Sequence, residues 1–458
     1  MNEKGKMTYG DLMEMVSARQ YGQILTHFQI MKPVDIAELF DQIQKDKLSL
    51  LFRLLPKEAA AETFVEMDSD LQQLLIDSFS DRELRDVLDE LYMDDAVDLV
   101  EEMPANVVQR ILKQADPEMR QQINSLLQYP GNSAGSMMTT EYVNLWPDMT
   151  VGEAIQRIRQ TGVDKETIYT CYVTKKRRLL GVVTVKDLLL SCKDEELVRN
   201  IMEEQVISVT TRDDREDVAA LFSKYDLLAL PVVDSEERIV GIVTIDDAMD
   251  VLESAATEDM EIMAAMTPSE KPYIKSSVVA IWKHRICWLL LLMVSATFTG
   301  MILNHFEHAL ASQIALTTFI PMLMDTAGNS GSQTSVTVIR GLSLGEIQLK
   351  DLPTVLWKEF RVSILCGLTL AAAVFLKMML VDHWMMGVEG ITLGVMLTVC
   401  MTMMATITLA KLVGGTLPVV ADRLGFDPAV MASPFITTIV DALALLVYFK
   451  TAAMILPL

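Results

Sequence analysis

The stretch PFITTIVDALALLVYF, residues 434–449, decides the fold. It belongs to an apolar run long enough for the roughly 20 residues a bilayer-spanning helix needs. Yet it carries a carboxylate, Asp441, with no basic residue within one helical turn. A charge inside a span costs roughly 2.5–3.5 kcal/mol on insertion scales, so it requires a reason. One reading is a carboxylate facing an aqueous path, where it attracts a cation. The other is a protonated or hydrogen-bonded Asp441 held by Thr437 or Thr438, four and three residues earlier on the same helical face.

Working outward, apolar runs of spanning length lie near 286–306, 310–338, 362–384, 391–419 and 429–455, predicting five transmembrane helices. The second run contains Asp325 and the polar stretch from Gly328 to Thr334. An unwound segment is expected there, whose freed carbonyls, with Asn and Gln oxygens, suit a hard cation. Asp325, Asn329, Gln333, Thr437 and Thr438 are the candidate pore-lining residues. The same glycines also suit close helix packing. Pro418 and Pro434 predict further kinks. Lys283, Arg285, Arg340, Lys350, Lys358, Arg361 and Arg423 alternate with connections poor in basic residues, among them the first, around Asn304–Ala311. By the positive-inside rule the N-terminus is cytoplasmic and the C-terminus outside, in a multi-pass cell-membrane protein.

The formal net charge is −23 over 458 residues. Residues 283–458 are neutral overall, so the whole excess lies in residues 1–282. Such acidity repels phosphate backbones and excludes nucleic acid as a partner. Cys171, Cys192, Cys287, Cys366 and Cys400 form no CxxC pair, arguing against a disulfide framework or zinc ribbon. The start, MNEKGKMTYGDLMEM, has no apolar core of a signal peptide. Sparse carboxylates in the apolar half fit Mg²⁺, which keeps several waters and needs one or two carboxylates; a Ca²⁺ cage needs more.

The acidic half contains a repeat. Leu180-Gly181-Val182-Val183-Thr184-Val185-Lys186-Asp187 recurs 60 residues later as Val240-Gly241-Ile242-Val243-Thr244-Ile245-Asp246-Asp247. Each copy reads strand, helix, two strands, helix. The repeat resembles the CBS (cystathionine β-synthase) domain pair, which implies an adenine-nucleotide site near Thr184, Asp187 and Thr244; a purely structural pair is the alternative. Residues 30–128 read as short helices broken at Pro56, Asp68, Ser80-Asp81, Asp94, Pro104 and Asp116-Pro117, predicting a superhelix of hairpins. After the repeat comes an acidic helix that leads into the first span. Its like-charge pairs Asp246/Asp250 and Asp250/Glu253 destabilise an isolated helix by a few tenths of a kcal/mol each.

The order of these parts resembles the MgtE family of Mg²⁺ channels. The matching stretches are YPGNSAGSMMTT (129–140), PMLMDTAGNSGSQ (321–333), and Asp427-Pro428-Ala429 followed by Asp441. The resemblance implies a homodimer with an α-helical superhelical N domain, an α/β CBS pair, a connecting plug helix and five spans per subunit. Asp441 would then meet its symmetry mate at the pore. It also implies regulatory Mg²⁺ held by Asp94, Asp95, Asp98, Glu216, Asp226, Asp247, Asp250, Glu253, Glu258, Asp259 and Asp427. Ala255 departs from the family, which has an acidic residue there. The expected divisions are 1–130 (N domain), 131–200 and 201–246 (CBS units), 247–282 (plug helix and linker) and 283–458 (pore domain). The resemblance implies no enzymatic activity, with Mg²⁺ as the ion and ATP as a candidate ligand of the CBS pair. Rival readings are a channel for Co²⁺, Ni²⁺ or Ca²⁺, and a membrane-anchored nucleotide sensor without a pore. Intramembrane metalloproteolysis would need HExxH, which His27, His284, His305, His308 and His383 do not form.

Overall fold

The computed structural model describes residues 7–190, 193–269, 272–306, 313–385, 387, 388 and 390–456. Cys192, His308 and Ala311 lie outside the described residues; Cys171, Cys287, Cys366 and Cys400 are unpaired. The chain divides into two compact units, Met1–Glu253 and Ser254–Leu458.

In the first unit, helix-start chemistry cuts the chain into ten short helices among the described residues, from α1 (Tyr9–Ser17) to α10 (Pro117–Leu126). Ser80 caps α7 (Asp81–Leu88) through a reciprocal box with Glu83, and the Asp116 carboxylate caps α10, with Pro117 at its first position. Breaks at Pro56, Asp68, Ser80, Pro104 and Asp116 fall at N-cap positions. Asp94 does not: α8 (Met93–Glu102) starts one residue earlier with Tyr92 as its cap, placing Asp94 and Asp95 in its first turn. Carboxylates there are favoured by the helix dipole. Phe52, Phe64 and Phe79 stack at centroid distances of 5.4–6.4 Å in the core of this array.

The repeat forms two three-stranded sheets of identical topology. β1 (Tyr142–Leu145) pairs parallel to β2 (Thr167–Lys175), which pairs antiparallel to β3 (Arg178–Thr184); β4 (Val209–Thr210), β5 (Ala229–Val233) and β6 (Ile239–Thr244) repeat the order. Helix α11 (Val151–Thr161) crosses between β1 and β2, α12 (Val185–Leu190) follows β3, the short α13 (Val198–Ile201) comes before β4, and α14 (Arg215–Tyr225) crosses between β4 and β5. The two copies interlock through their motif glycines. A Cβ on Gly181 would lie 2.8 Å from the Glu203 carbonyl, and one on Gly241 2.6 Å from the Thr139 carbonyl. Val182 and Glu203 exchange backbone hydrogen bonds, as do Ile242 and Thr139.

Helix α15 (Ile245–Met263) follows β6 and continues into the second unit. That unit holds α16 (Val278–His305), α17 (Ile320–Ser343), α18 (Leu352–Lys377), α19 (Leu393–Arg423) and α20 (Ser433–Ile455). Among the described residues, four segments are long and apolar enough to cross a membrane, those containing α16, α18, α19 and α20. Helix α17 is also long enough, 24 residues or about 36 Å, but its polar run keeps it outside that group. No unwound stretch occurs between Gly328 and Thr334: α17 is a continuous helix there, so the freed carbonyls expected from the sequence are absent. Nor does Pro434 kink α20, because it occupies the first turn, while Pro418 lies within an α19 that continues to Arg423.

The glycines act in packing instead. A Cβ on Gly414 would collide with the Gly331 carbonyl, one on Gly331 would meet Ile436 Cγ2 at 2.9 Å, and one on Gly328 would meet Thr437 Cγ2 at 2.9 Å. These contacts let α17 lie against both α19 and α20 at backbone distance. Gly414→Ala should therefore lower the melting temperature of the detergent-solubilised protein. Gly300→Ala on α16, where a Cβ meets nothing within 4 Å, should leave it unchanged or raise it.

Candidate functional site

Asp441 sits at the face where α20 packs on α17. Its Oδ1 is buried with no hydrogen-bond partner, and Asp325 is its charged neighbour. The Thr438 hydroxyl, one candidate partner for Asp441, instead donates to the Pro434 carbonyl at 3.0 Å. On α17, Asp325, Asn329 and Gln333 are exposed at four-residue spacing, whereas Ala327, Gly328, Ser330, Gly331 and Thr334 are buried. One face of α17 thus binds its neighbours and the adjoining face presents a polar stripe. A polar stripe facing hydrocarbon is costly, so this face suits water or a second copy of the chain. The sequence reading passed over a buried ion pair on the back of α17: Lys411 Nζ lies 3.4 Å from Glu359 Oε2. Its signal was the lone charge of the 391–419 run.

A second carboxylate group lies where α15 ends. Asp259 is raised above its ordinary range by burial first, then by the negative charges of Asp427 and Glu258, against a hydrogen bond with Ser343. Asp427, whose charge acts on Asp259, accepts a hydrogen bond from the Ala429 amide at 2.7 Å. The structure brings Glu258, Asp259 and Asp427 together within the second unit.

The largest concentration of negative charge is in the first unit, where the start of α8 meets the start of α15. Burial pushes Asp94 well above its ordinary value, with Asp247 and Asp95 adding to it. Burial, Asp247 and Asp98 push Asp95 up to about 7. Asp98, at the open rim, rises to about 7 because surrounding protein thins its hydration and Asp247 and Glu101 add charge. Asp247 rises to about 6 through burial, although the Thr244 hydroxyl donates to it at 2.7 Å. Asp250, more exposed, is raised by burial, Asp246 and Glu253.

Glu166, absent from the sequence reading, belongs here. Burial followed by Asp95, Asp246 and Asp247 pushes it up to about 8, and its Oε2 is buried without a hydrogen-bond partner. It lies in a loop before β2, so no helical spacing flagged it. Glu216 and Asp226 stand at opposite ends of α14, about 15 Å apart along its axis, so the two do not share one cation position. Among the described residues no three such side chains converge on one ready-made cation position. The donor set, hard and anionic oxygen, fits Mg²⁺ held through its own waters by one or two carboxylates at a time. Its chemistry here would be to screen mutual repulsion.

The motif threonines cap helices. Thr184 and Asp187 form a reciprocal box at the start of α12, and at the start of α15 the Thr244 hydroxyl donates to Asp247 at 2.7 Å. A separate cleft of about 530 Å³ is lined by Tyr142, Arg157, Lys165 and Arg177 among others, but not by Thr184, Asp187 or Thr244. It gathers positive charge in an acidic unit.

Three family models match in order: the MgtE intracellular N domain over 31–132, the CBS domain over 134–194 and 198–254, and MgtE, divalent cation transporter, over 320–451. The magnesium transporter MgtE of Thermus thermophilus is 34% identical over 462 residues, covering 100% of this chain and 99% of the relative. The chain belongs to the MgtE family. The magnesium transporter MgtE of Bacillus subtilis is 30% identical, covering 97% of this chain and 98% of its own. The crystal structure of the cytosolic domain of the Mg²⁺ channel MgtE in complex with ATP is 34% identical, with a TM-score of 0.51. It matches 53% of this chain and 100% of that one. Membership accounts for the helical N domain, CBS pair and helical C-terminal domain as one inherited arrangement.

The raised carboxyls give a pH prediction. Each folded pKa lies above the unfolded value near 4, so the folded state holds protons there that the unfolded state has lost. Stability of the chelated protein should therefore fall as pH rises from about 4 through 7. Thermal melts should show this decline, and Mg²⁺ should raise the melting temperature far more at pH 8 than at pH 5.5.

Proposed function

We propose that this chain is a channel that admits Mg²⁺ across the cell membrane, works as a homodimer, and is closed by intracellular Mg²⁺ bound to its acidic domains. The observation that carries the conduction half is Asp441: a carboxylate oxygen buried among membrane helices, unpartnered, beside Asp325. In an isolated subunit this is an unmet cost. In a dimer whose axis passes this face, two carboxylates and a water shell meet one hydrated Mg²⁺, and the stripe of Asp325, Asn329 and Gln333, with Thr437 and Thr438, lines the approach. The transporter names of the full-length relatives support the ion assignment and a role other than catalysis.

The gating half rests on the carboxylates around Asp247 and around Asp259. At low Mg²⁺ the groups on the N domain and on α15 repel, and the domains separate. Mg²⁺ binding by Asp94, Asp95, Asp98, Asp247 and Asp250 cancels that repulsion and draws α8 toward α15. Glu253 on the same helix adds charge at the open end of the group. The same ion at Glu258, Asp259 and Asp427 seats the end of α15 beside the pore domain. In this reading α15 is the plug, residues 1–130 and the CBS units at 131–200 and 201–246 form the sensor, and 283–458, with five spans, form the pore. The N-terminus is cytoplasmic and the C-terminus outside. Glu216 and Asp226, on α14, serve secondary sites. ATP is proposed as a ligand of the CBS pair, supported by the ATP-bound relative and the basic cleft.

Asp441→Asn should abolish Mg²⁺ entry into dye-loaded proteoliposomes while the protein elutes at the wild-type size. Flux at the wild-type level in that variant would refute the pore assignment.

A further inference from the structure

We propose that Lys411, Glu359 and Thr334 form a clamp that fixes the rotation of α17 and thereby aims its Asp325-Asn329-Gln333 stripe at the ion path. These are positioning residues, and the proposal rests on the channel reading above.

The clamp joins three helices. The Thr334 hydroxyl of α17 donates to Glu359 Oε2 of α18 at 2.9 Å and accepts from Lys411 Nζ of α19 at 3.2 Å. The ammonium also reaches Glu359 at 3.4 Å. Lys411 and Thr334 are buried, and the Glu359 side chain is only 18% exposed. Each charge is therefore worth keeping only with its partner in place, since a buried ion left alone is strongly destabilising. The hydroxyl is the bridge that ties α17 to both ions.

Its position gives that tie a direction. At about 100° per residue, Thr334 lies roughly opposite Asp325 around the α17 axis. Holding the back of the helix sets where the front points. One turn earlier on α17, Gly331 meets Gly414, which lies three residues after Lys411 on α19. That contact brings the backbones together but is smooth, because neither glycine has a side chain to resist rotation. The clamp adds a charged torsional restraint there, beside the Ser335 hydroxyl, which donates to the Met431 carbonyl at 2.8 Å. A polar ladder continues upward between α18 and α19, where the Ser363 hydroxyl donates to Thr408 Oγ1 at 3.1 Å. That rung fixes the two helices from which the clamp reaches.

The test reads helix rotation directly. In full-length protein with its five native cysteines replaced by alanine, Asn329→Cys, Gln333→Cys and Ser330→Cys are each probed in lipid nanodiscs with a water-soluble maleimide. With the clamp intact, positions 329 and 333 label and 330 is protected. Adding Thr334→Val, which keeps the side-chain shape, or the charge-neutral pair Lys411→Met with Glu359→Met, should slow labelling at 329 and 333 and expose 330. Mg²⁺ influx should fall about tenfold, the scale of loss from small misplacement of a functional group. Lys411→Arg should restore the original pattern. An unchanged labelling pattern in both clamp variants would overturn the proposal, whatever their flux. Absence of Mg²⁺ flux in the wild type would defeat the channel reading instead, and the labelling pattern would still decide the clamp.

Discussion

Repulsion among carboxylates governs this molecule. Two unit charges about 4 Å apart interact by on the order of 4 kcal/mol at an effective dielectric near 20. Around Asp247 the fold gathers Asp94, Asp95, Asp98, Asp246 and Glu166, and the carboxyls of Asp95, Asp98 and Glu166 answer by holding protons into the neutral range. A group in that condition stores free energy that a divalent cation releases. Inverting a two-state equilibrium from 1:99 to 99:1 takes only about 5.5 kcal/mol, so relief of a few such pairs suffices. In the proposed mechanism the sensor is thus a set of charges held close together without a fixed cage, suited to an ion that retains its water.

The membrane unit uses charge in the opposite way. Residues 283–458 carry equal numbers of acidic and basic residues, and buried charges there have partners: Lys411 with Glu359, and Asp382 with Lys377 at 2.8 Å. Asp441 differs from these, with a buried oxygen left unsatisfied. In the proposed mechanism that contrast, between paired charges that hold helices and a carboxylate oxygen left open to an ion, sets Asp441 apart.

Much of this was legible in the sequence because the signals are local. The CBS copies announced themselves by repeated glycine, threonine and aspartate, and the helix breaks by N-cap residues. What escaped depends on contacts between distant segments. Lys411 and Glu359 are 52 residues apart, and neither helical spacing nor hydropathy pairs them. Glu166 joins the acidic cluster only because the sheet carries its loop there. Glycine and serine weaken an isolated helix, so the polar run of α17 has the sequence pattern of a break. Packing against α19 and α20 overrides that preference, with small residues serving close approach.

The central claim is that negative charge on the cytoplasmic helices closes a conducting path by binding Mg²⁺. The direct test is Mg²⁺ influx in proteoliposomes bearing Asp247→Asn, Asp250→Asn and Glu258→Gln together, with millimolar Mg²⁺ on the side of the acidic domains. The account predicts that flux stays high where the wild type shuts. Inhibition of the triple variant at wild-type Mg²⁺ concentrations would contradict it.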